Sequence, residues 1–287
     1  MNLPEDMDYS DISLENLSEA DTWILAKLNE TIKHVTENNE KYEFALVGNE
    51  LYQFVWDSFC SWYIEMSKAS LSSDNEKVVK AAQSTLLYTL TSILKLLSPF
   101  MPFVCEEIYQ SLPHEKESIC LESWPLENKS IASDNLAEMD MLISMIQKVR
   151  EVKRINNLKP SAPLTLMAKD LNGNVIEPKE SLKAMLTKMA KATWENNLEG
   201  DLTVETVQGG TIYIPSNELL DKETEIAKLT ADKERLEKEI QRGKGILSNA
   251  GFLAKAPAAK VEAEKNKLAD YEKQYEAVMT RLNSLQG

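Results

Sequence analysis

The sequence predicts a mainly α protein: a helical bundle, a small α/β module and an antiparallel coiled-coil hairpin arm. Three observations carry that reading. Apolar residues recur at helical spacing through the first 156 positions, two runs near the C-terminus keep a heptad seam, and a short stretch between them alternates like strands. The implied units are 1–158 for the bundle, 159–215 for the module and 216–287 for the arm.

The bundle is read in order. Ser18-Glu19-Ala20-Asp21 is a capping-box-like start, followed by Trp23, Ile24, Leu28, Ile32 and Val35 on one helical face. A second helix is expected from about Lys41 to Ala69. Its apolar residues (Phe44, Val47, Leu51, Phe54, Val55, Phe59, Trp62, Tyr63, Met66) cover more than half its circumference, which makes it central. Trp56, Phe59, Trp62 and Tyr63 read as core at this spacing. A third helix is expected from Asp74 to Leu97, ended by Ser98-Pro99. Pro102 starts a short one carrying Val104, Ile108 and Leu112. After a proline-bearing loop, a fifth runs over 133–156, with Leu136, Met139, Leu142, Ile143, Ile146 and Val149 inward.

Composition changes at Lys159-Pro160. Pro163–Lys169 alternates like a strand, and Leu182–Thr193 reads as a short helix. Leu202–Val207 and Thr211–Ile214 flank Gly209-Gly210, a two-residue hairpin signal. In the arm, Leu219, Ile226, Lys233, Ile240 and Leu247 share one seam position, with Lys222, Leu229, Leu236 and Gly243 at the other. Val261, Leu268, Tyr275 and Leu282, interleaved with Glu264, Tyr271, Val278 and Leu285, continue the seam after the breakers Gly251 and Pro257. Each helix of such a hairpin is about 40–45 Å long at 1.5 Å per residue. One narrow seam weakened by Lys222, Lys233 and Gly243 makes an arm rather than a core, and the expectation is a mobile one.

Of 287 residues, 43% are hydrophobic and 27% charged, with a net charge of −14. Residues 1–140 hold 9 Lys and Arg against 25 Asp and Glu, residues 141–215 hold 10 against 8, and residues 216–287 hold 13 against 13. Binding of a polyanion by the whole surface is therefore disfavoured, while local contact by the later segments is not. Cys60, Cys105 and Cys120 form no CxxC pair and fit reduced thiols in the cytoplasm. The acidic N-terminus lacks a signal-peptide pattern. The most apolar window, Ser84–Val104, contains Lys95 and reads as a core helix, so no membrane span is expected.

Catalytic constellations are missing. His34 and His114 sit in different elements without metal-ligand spacing, no phosphate-binding glycine loop or nucleophile elbow occurs, and Glu106-Glu107 point to different sides of a helix. No metal site is expected. Two basic clusters stand out. Lys148, Arg150, Lys153, Arg154 and Lys159 crowd the end of the fifth helix, where cations also suit the helix dipole, with Asn156 and Asn157 beside them. Arg242, Lys244 and Lys255 surround the reversal of the arm, with Asn249 and Phe252 near its tip.

At 42–68, YEFALVGNELYQFVWDSFCSWYIEMSK, followed by LLSPFMPFVCEEIYQSLP at 96–113, the chain resembles the anticodon-binding helical domain of the class I aminoacyl-tRNA synthetases for valine, isoleucine and leucine. LTADKERLEKEIQRGKGILSNAGFLAKAP (229–257) resembles the coiled-coil arm of valyl-tRNA synthetases, and the cysteine-bearing zinc module common in isoleucine enzymes has no counterpart. The resemblance implies that the bundle holds the anticodon stem-loop of tRNA(Val) and that the arm reaches the outer corner of the tRNA. Their charge and polarity select Lys148, Arg150, Lys153, Arg154, Asn156, Asn157 and Lys159 for the first contact, against a solvated, dipole-compensating helix end, and Arg242, Lys244, Asn249, Phe252 and Lys255 for the second, against simple packing of the hairpin. The catalytic and editing domains of that family are missing from this sequence. Lys188-Met189-Ala190-Lys191-Ala192 only echoes the KMSKS-type loop, within a helical pattern.

The expected chain is thus a C-terminal portion, inactive in aminoacylation alone and with no cofactor of its own, ATP belonging to the missing catalytic domain. Its expected partners are tRNA(Val) and the missing catalytic and editing domains, as a cytoplasmic monomer. The alternative is a protein-interaction scaffold that uses the hairpin; an independent hydrolase is disfavoured by the absent catalytic groups.

Overall fold

The computed structural model describes residues 15–131, 136–219, 222–249 and 258–286. Helix α1 (Glu19–Glu40) opens on the capping box. The Asp21 N–H donates to the Ser18 hydroxyl at 3.2 Å, and the Ser18 N–H donates to the Asp21 carboxylate at 2.8 Å. Asp21 is fully buried, and its second oxygen accepts the Tyr63 hydroxyl at 2.6 Å. Burial first, and then the Asp21 charge, push the Tyr63 hydroxyl well above the usual tyrosine range. A local cap thus becomes a tertiary tie.

The single helix expected over Lys41–Ala69 is wound in three parts: α2 (Phe44–Tyr52), a π-helical segment (Gln53–Tyr63) and α3 (Ile64–Leu71). Within the π segment the Ser61 hydroxyl reaches the Trp56 carbonyl five residues back, at 2.7 Å. The wider turn brings Phe54, Phe59, Trp62 and Tyr63 into the core and leaves Trp56 exposed, against the core reading of that tryptophan. Phe44, expected inward, is exposed as well.

Asn75 caps α4 (Glu76–Leu97), accepting from the Lys77 N–H. Pro102 occupies the first position of α5 (Pro102–Gln110). Here Cys105 and Tyr109 face inward, while Val104 and Ile108 lie on the outer side. The following loop is pinned where the Glu122 carboxylate accepts from Tyr109 (2.6 Å) and Lys95 (2.8 Å). Helix α6 (Leu136–Ile155) closes the bundle: its Asp140 accepts from the Trp23 indole at 2.9 Å and from Lys27 at 2.8 Å.

The module is a four-stranded sheet of order β2-β1-β4-β3, built from β1 (Leu164–Asp170), β2 (Ala192–Trp194), β3 (Leu202–Val207) and β4 (Gly210–Pro215). Helix α7 (Glu180–Ala190) is the crossover between β1 and the parallel β2. The hairpin turn is shifted by one residue from its expected place. Val207 pairs with Gly210, so Gln208 and Gly209 form the loop, with Gly209 at φ +79°. Gly210 is instead a strand glycine, because a Cβ there would collide with the Lys169 carbonyl of β1. The turn docks on α6, where the Gln208 N–H donates to Ser144 at 2.9 Å.

A second joint is stronger. Lys153, placed by sequence among the RNA-facing cations, is 2% exposed. Its ammonium donates to the carbonyls of Ala190 (2.6 Å), Pro160 (3.3 Å) and Lys191 (3.4 Å). Burial, with Arg150 and Lys191 nearby, lowers its pKa from the ordinary lysine value. Bundle and module share one continuous hydrophobic core, which runs from Trp23 and Ile146 to Leu166 and Ile214 and takes in Leu219. Leu219 therefore belongs to the body and not to the arm seam.

The arm is α8 (Lys222–Ser248) against α9 (Ala258–Gln286). Where side chains are described, seam positions are less exposed than most of their neighbours, with Leu236 and Leu282 buried. Gly243 admits Leu268, which a Cβ there would meet at 3.3 Å.

Tyr63→Phe leaves a buried carboxylate one donor short and is expected to cost about 1.5–3 kcal/mol in urea unfolding. Lys153→Met is expected to cost about 1–3 kcal/mol by leaving buried carbonyls unpaired. The lowered pKa of Lys153 means that the folded state releases this proton first. The wild-type advantage over Lys153→Met therefore grows as pH rises from the folded pKa toward about 10.4, and parallel unfolding curves at rising pH check it. In amide exchange, α8 and α9 are expected to exchange at least tenfold faster than α1, because one seam protects them rather than a core.

Candidate nucleic-acid interface

The C-terminal turn of α6 and the C-terminal end of α7 meet in a cleft of about 630 Å³. Arg150, Lys153, Arg154, Asn157, Leu158 and Pro160 line it from one side, and Met189 and Ala190 from the other. The last carbonyls of a helix have no intrahelical partner and carry the negative end of its dipole. Those of α7 are met by cations from α6. Arg150 donates to the Met189 carbonyl through Nε (3.3 Å) and Nη2 (2.9 Å), beside the Lys153 contacts. The Arg150 guanidinium also lies 5.5 Å from the Trp62 ring centroid, a cation–π contact that holds it flat against the bundle.

Arg154 is exposed at the mouth of the cleft. Asn157 takes a left-handed conformation at φ 55°, which lets the Leu158 N–H return to the Lys153 carbonyl at 2.8 Å and close the helix. The Asn157 side chain is left exposed on the rim. Four of the seven sequence-chosen residues thus come together at one cleft, and three do not. Lys148 turns toward Glu151 (2.7 Å) and Glu205 of β3 (3.9 Å), and its pKa is raised by that first partner. The Asn156 amide donates back to the Val152 carbonyl at 2.9 Å. Lys159 is exposed beyond the helix end and does not line the cleft.

Sequence reasoning missed the opposite wall. Met189 and Ala190 come from the segment set aside as an echo of a catalytic loop. Lys188 and Lys191, both exposed, add positive charge around it. The charge of Lys191 acts on Lys153, and Lys188 and Arg150 both act on Glu65, whose pKa is lowered chiefly by its Lys68 partner. Their signal in the sequence was only a basic pattern of ordinary helical type.

On the arm, Lys244 pairs with Glu272 of the opposite helix at 2.9 Å, and Arg242 with Glu239 at 3.6 Å. Exposed pairs of this kind contribute about 0–1 kcal/mol, so both cations are readily exchanged onto another anion. Asn249 is exposed at the end of the described part of the tip. Phe252 and Lys255 lie outside the described residues. Among the described residues no His, Cys, Asp and Glu group could hold a metal, and no helix is long and apolar enough to cross a membrane. His34 faces Glu50 at 3.3 Å, and His114 stacks beside Tyr109.

Two regions of the chain match known family models. Residues 21–168 match the model of the anticodon-binding domain of tRNA ligase, and residues 221–286 that of the valyl tRNA synthetase tRNA binding arm. The chain is 39% identical over 292 residues to the valine–tRNA ligase of Listeria monocytogenes, covering 99% of this chain and 33% of that protein. It is 41% identical over 295 residues to that of Anoxybacillus flavithermus, with 99% and 33% covered. The corresponding figures for Staphylococcus saprophyticus are 37% over 299 residues, with 100% and 34% covered. The chain thus spans about a third of the length of these relatives, and the scaffold alternative draws no support from them. Two family models and relatives matched along the whole chain show that it belongs to the valine–tRNA ligase family.

Proposed function

We propose that this chain is the tRNA-binding part of a valine–tRNA ligase. The bundle and module grip the anticodon stem-loop of tRNA(Val), and the arm touches the outer corner of the folded tRNA. The observation that carries this reading is the cleft between α6 and α7. Its apolar lining of Leu158, Pro160, Met189 and Ala190 suits the face of one unstacked base, and Arg150 and Arg154 suit the adjoining phosphates. Asn157 on the rim offers both a donor and an acceptor to a base edge. Arg242 and Lys244 supply backbone contact at the arm. ATP and valine are handled by the remaining part of such a ligase, and the setting is a monomer in the cytoplasm.

The test is binding of a valine tRNA transcript to the chain as a function of salt. Arg150→Glu with Arg154→Glu is expected to weaken binding by on the order of 10–100-fold at fixed salt. It should also reduce the slope of log K against log salt by about 1.4, at about 0.7 per single-strand phosphate contact. Arg242→Glu with Lys244→Glu is expected to weaken it separately. Unchanged affinity and slope in all four substitutions combined would overturn the reading.

A further inference from the structure

At the other end of the bundle, where the α1–α2 and α4–α5 corners meet, lies an apolar surface that the tRNA reading does not use. Phe103 is 90% exposed and Tyr42 79%. Phe44 stands edge-on to both Tyr42 and Phe100, with ring centroids 6.1 Å apart in each case, so the corners form one aromatic ridge. Tyr42 sits at φ 60°, a left-handed conformation unusual for an aromatic residue, and this directs it away from the core. A contiguous exposed patch of this kind marks an interaction site, unlike scattered single apolar residues.

A second observation says what shape it takes. One turn on from Phe44, on the same helical face, is Gly48, followed a turn later by the exposed Tyr52. Glycine in the middle of a helix is unfavourable, yet among the described residues nothing beyond its own helical turns comes within 4 Å of where a Gly48 Cβ would be. The gap between Phe44 and Tyr52 is therefore open, as close approach of another backbone requires. Glu43 beside Phe44 and Glu107 one turn on from Phe103, both exposed, outweigh the exposed Lys41 beside Tyr42 and edge this end with negative charge, which repels a phosphate backbone and suits a partner edged by Lys or Arg. The ridge is roughly 25 Å from Trp62 and the basic cleft, at about 1.5 Å per residue along the same helix. The valine–tRNA ligases it resembles are about three times as long as this chain, so a partner of sufficient size exists within the family.

We infer that this surface seats an apolar-faced, base-edged α-helix from the two thirds of the ligase length lying outside this chain, its backbone crossing at Gly48. This rests on the ligase reading, but it is tested without tRNA. The Listeria monocytogenes valine–tRNA ligase region upstream of the match is joined to this chain, and Gly48→Cys is introduced in both the fusion and the separate chain. Maleimide labelling read peptide by peptide is expected to be at least tenfold slower at position 48 in the fusion. The exposed Cys120 serves as reference, and buried Cys105, unreactive in both, reports folding. Gly48→Arg is expected to lower the thermal midpoint of the fusion but not of the separate chain, and to leave tRNA retention by the separate chain unchanged. Equal labelling in the two proteins overturns the inference. So does protection of the separate chain by added tRNA, which assigns the surface to RNA, or by raising its own concentration, which assigns it to a second copy. Loss of tRNA binding in the Arg150/Arg154 variants remains a separate outcome.

Discussion

The body of this molecule depends on cations of one helix meeting the carbonyl end of another. Lys153 and Arg150 lie one turn apart on α6, and α7 ends against them at Met189, Ala190 and Lys191. An isolated ammonium in a buried place is expensive, and here three carbonyl oxygens and the negative end of a helix dipole offset that expense. The geometry also selects a register. A shift of α7 by one residue would exchange the carbonyls at Lys153 and leave others unpaired. The position of the α/β module on the bundle, and with it the far wall of the cleft, follows from this joint. The Gln208–Ser144 contact and the shared apolar core reinforce it without specifying it as closely.

That joint also determines which cations remain for a ligand. Sequence treats Lys148, Arg150, Lys153, Arg154 and Lys159 as equivalent, yet their environments divide them. Lys153 is consumed as structure, Lys148 is neutralised by Glu151 and Glu205, and Arg150 is held between Trp62 and the Met189 carbonyl yet stays exposed. Arg154 stands at the mouth of the cleft, and Lys188 and Lys191 arrive from the module. The result is a small positive spot on an acidic body. At physiological salt the Debye length is about 8 Å, so such a spot acts on a phosphate at contact range and the distant carboxylates act weakly.

The parts legible in the sequence are those governed by near neighbours. The capping box at Ser18–Asp21, the faces of α1 and α6, the strand alternation and the arm seam all follow from spacings within a few residues. Long-range contacts decided the rest. The π winding over Gln53–Tyr63 has no composition signal distinguishing it from α, so α spacing puts Trp56 in the core whereas it lies outside. The hairpin turn moved to Gln208-Gly209 because Gly210 must clear a carbonyl contributed by β1, some 40 residues earlier. Lys153 looked like a surface lysine because the carbonyls that bury it belong to residues up to 38 positions away. The candidate site was half legible for the same reason: α6 declared its cations, whereas the α7 wall appears only once the module is docked.

Under the proposed reading, the acidity of the body is part of recognition rather than an obstacle to it. A uniformly basic surface would hold any RNA at many positions, with affinity supplied by counterion release and little dependence on shape. Here the first 140 residues repel the nucleic acid, and attraction is confined to the cleft and the arm. Each spot alone offers few phosphate contacts and binds weakly. Both can engage one molecule only if its anticodon loop and its outer corner are separated as the arm and the bundle are. Linking two weak contacts raises affinity only for a ligand that spans them, and a ligand of another shape gains nothing from the second. The imperfect seam fits that logic. Under that reading, Lys233 at a seam position and the glycine where Leu268 packs would serve to let the second contact form after the first.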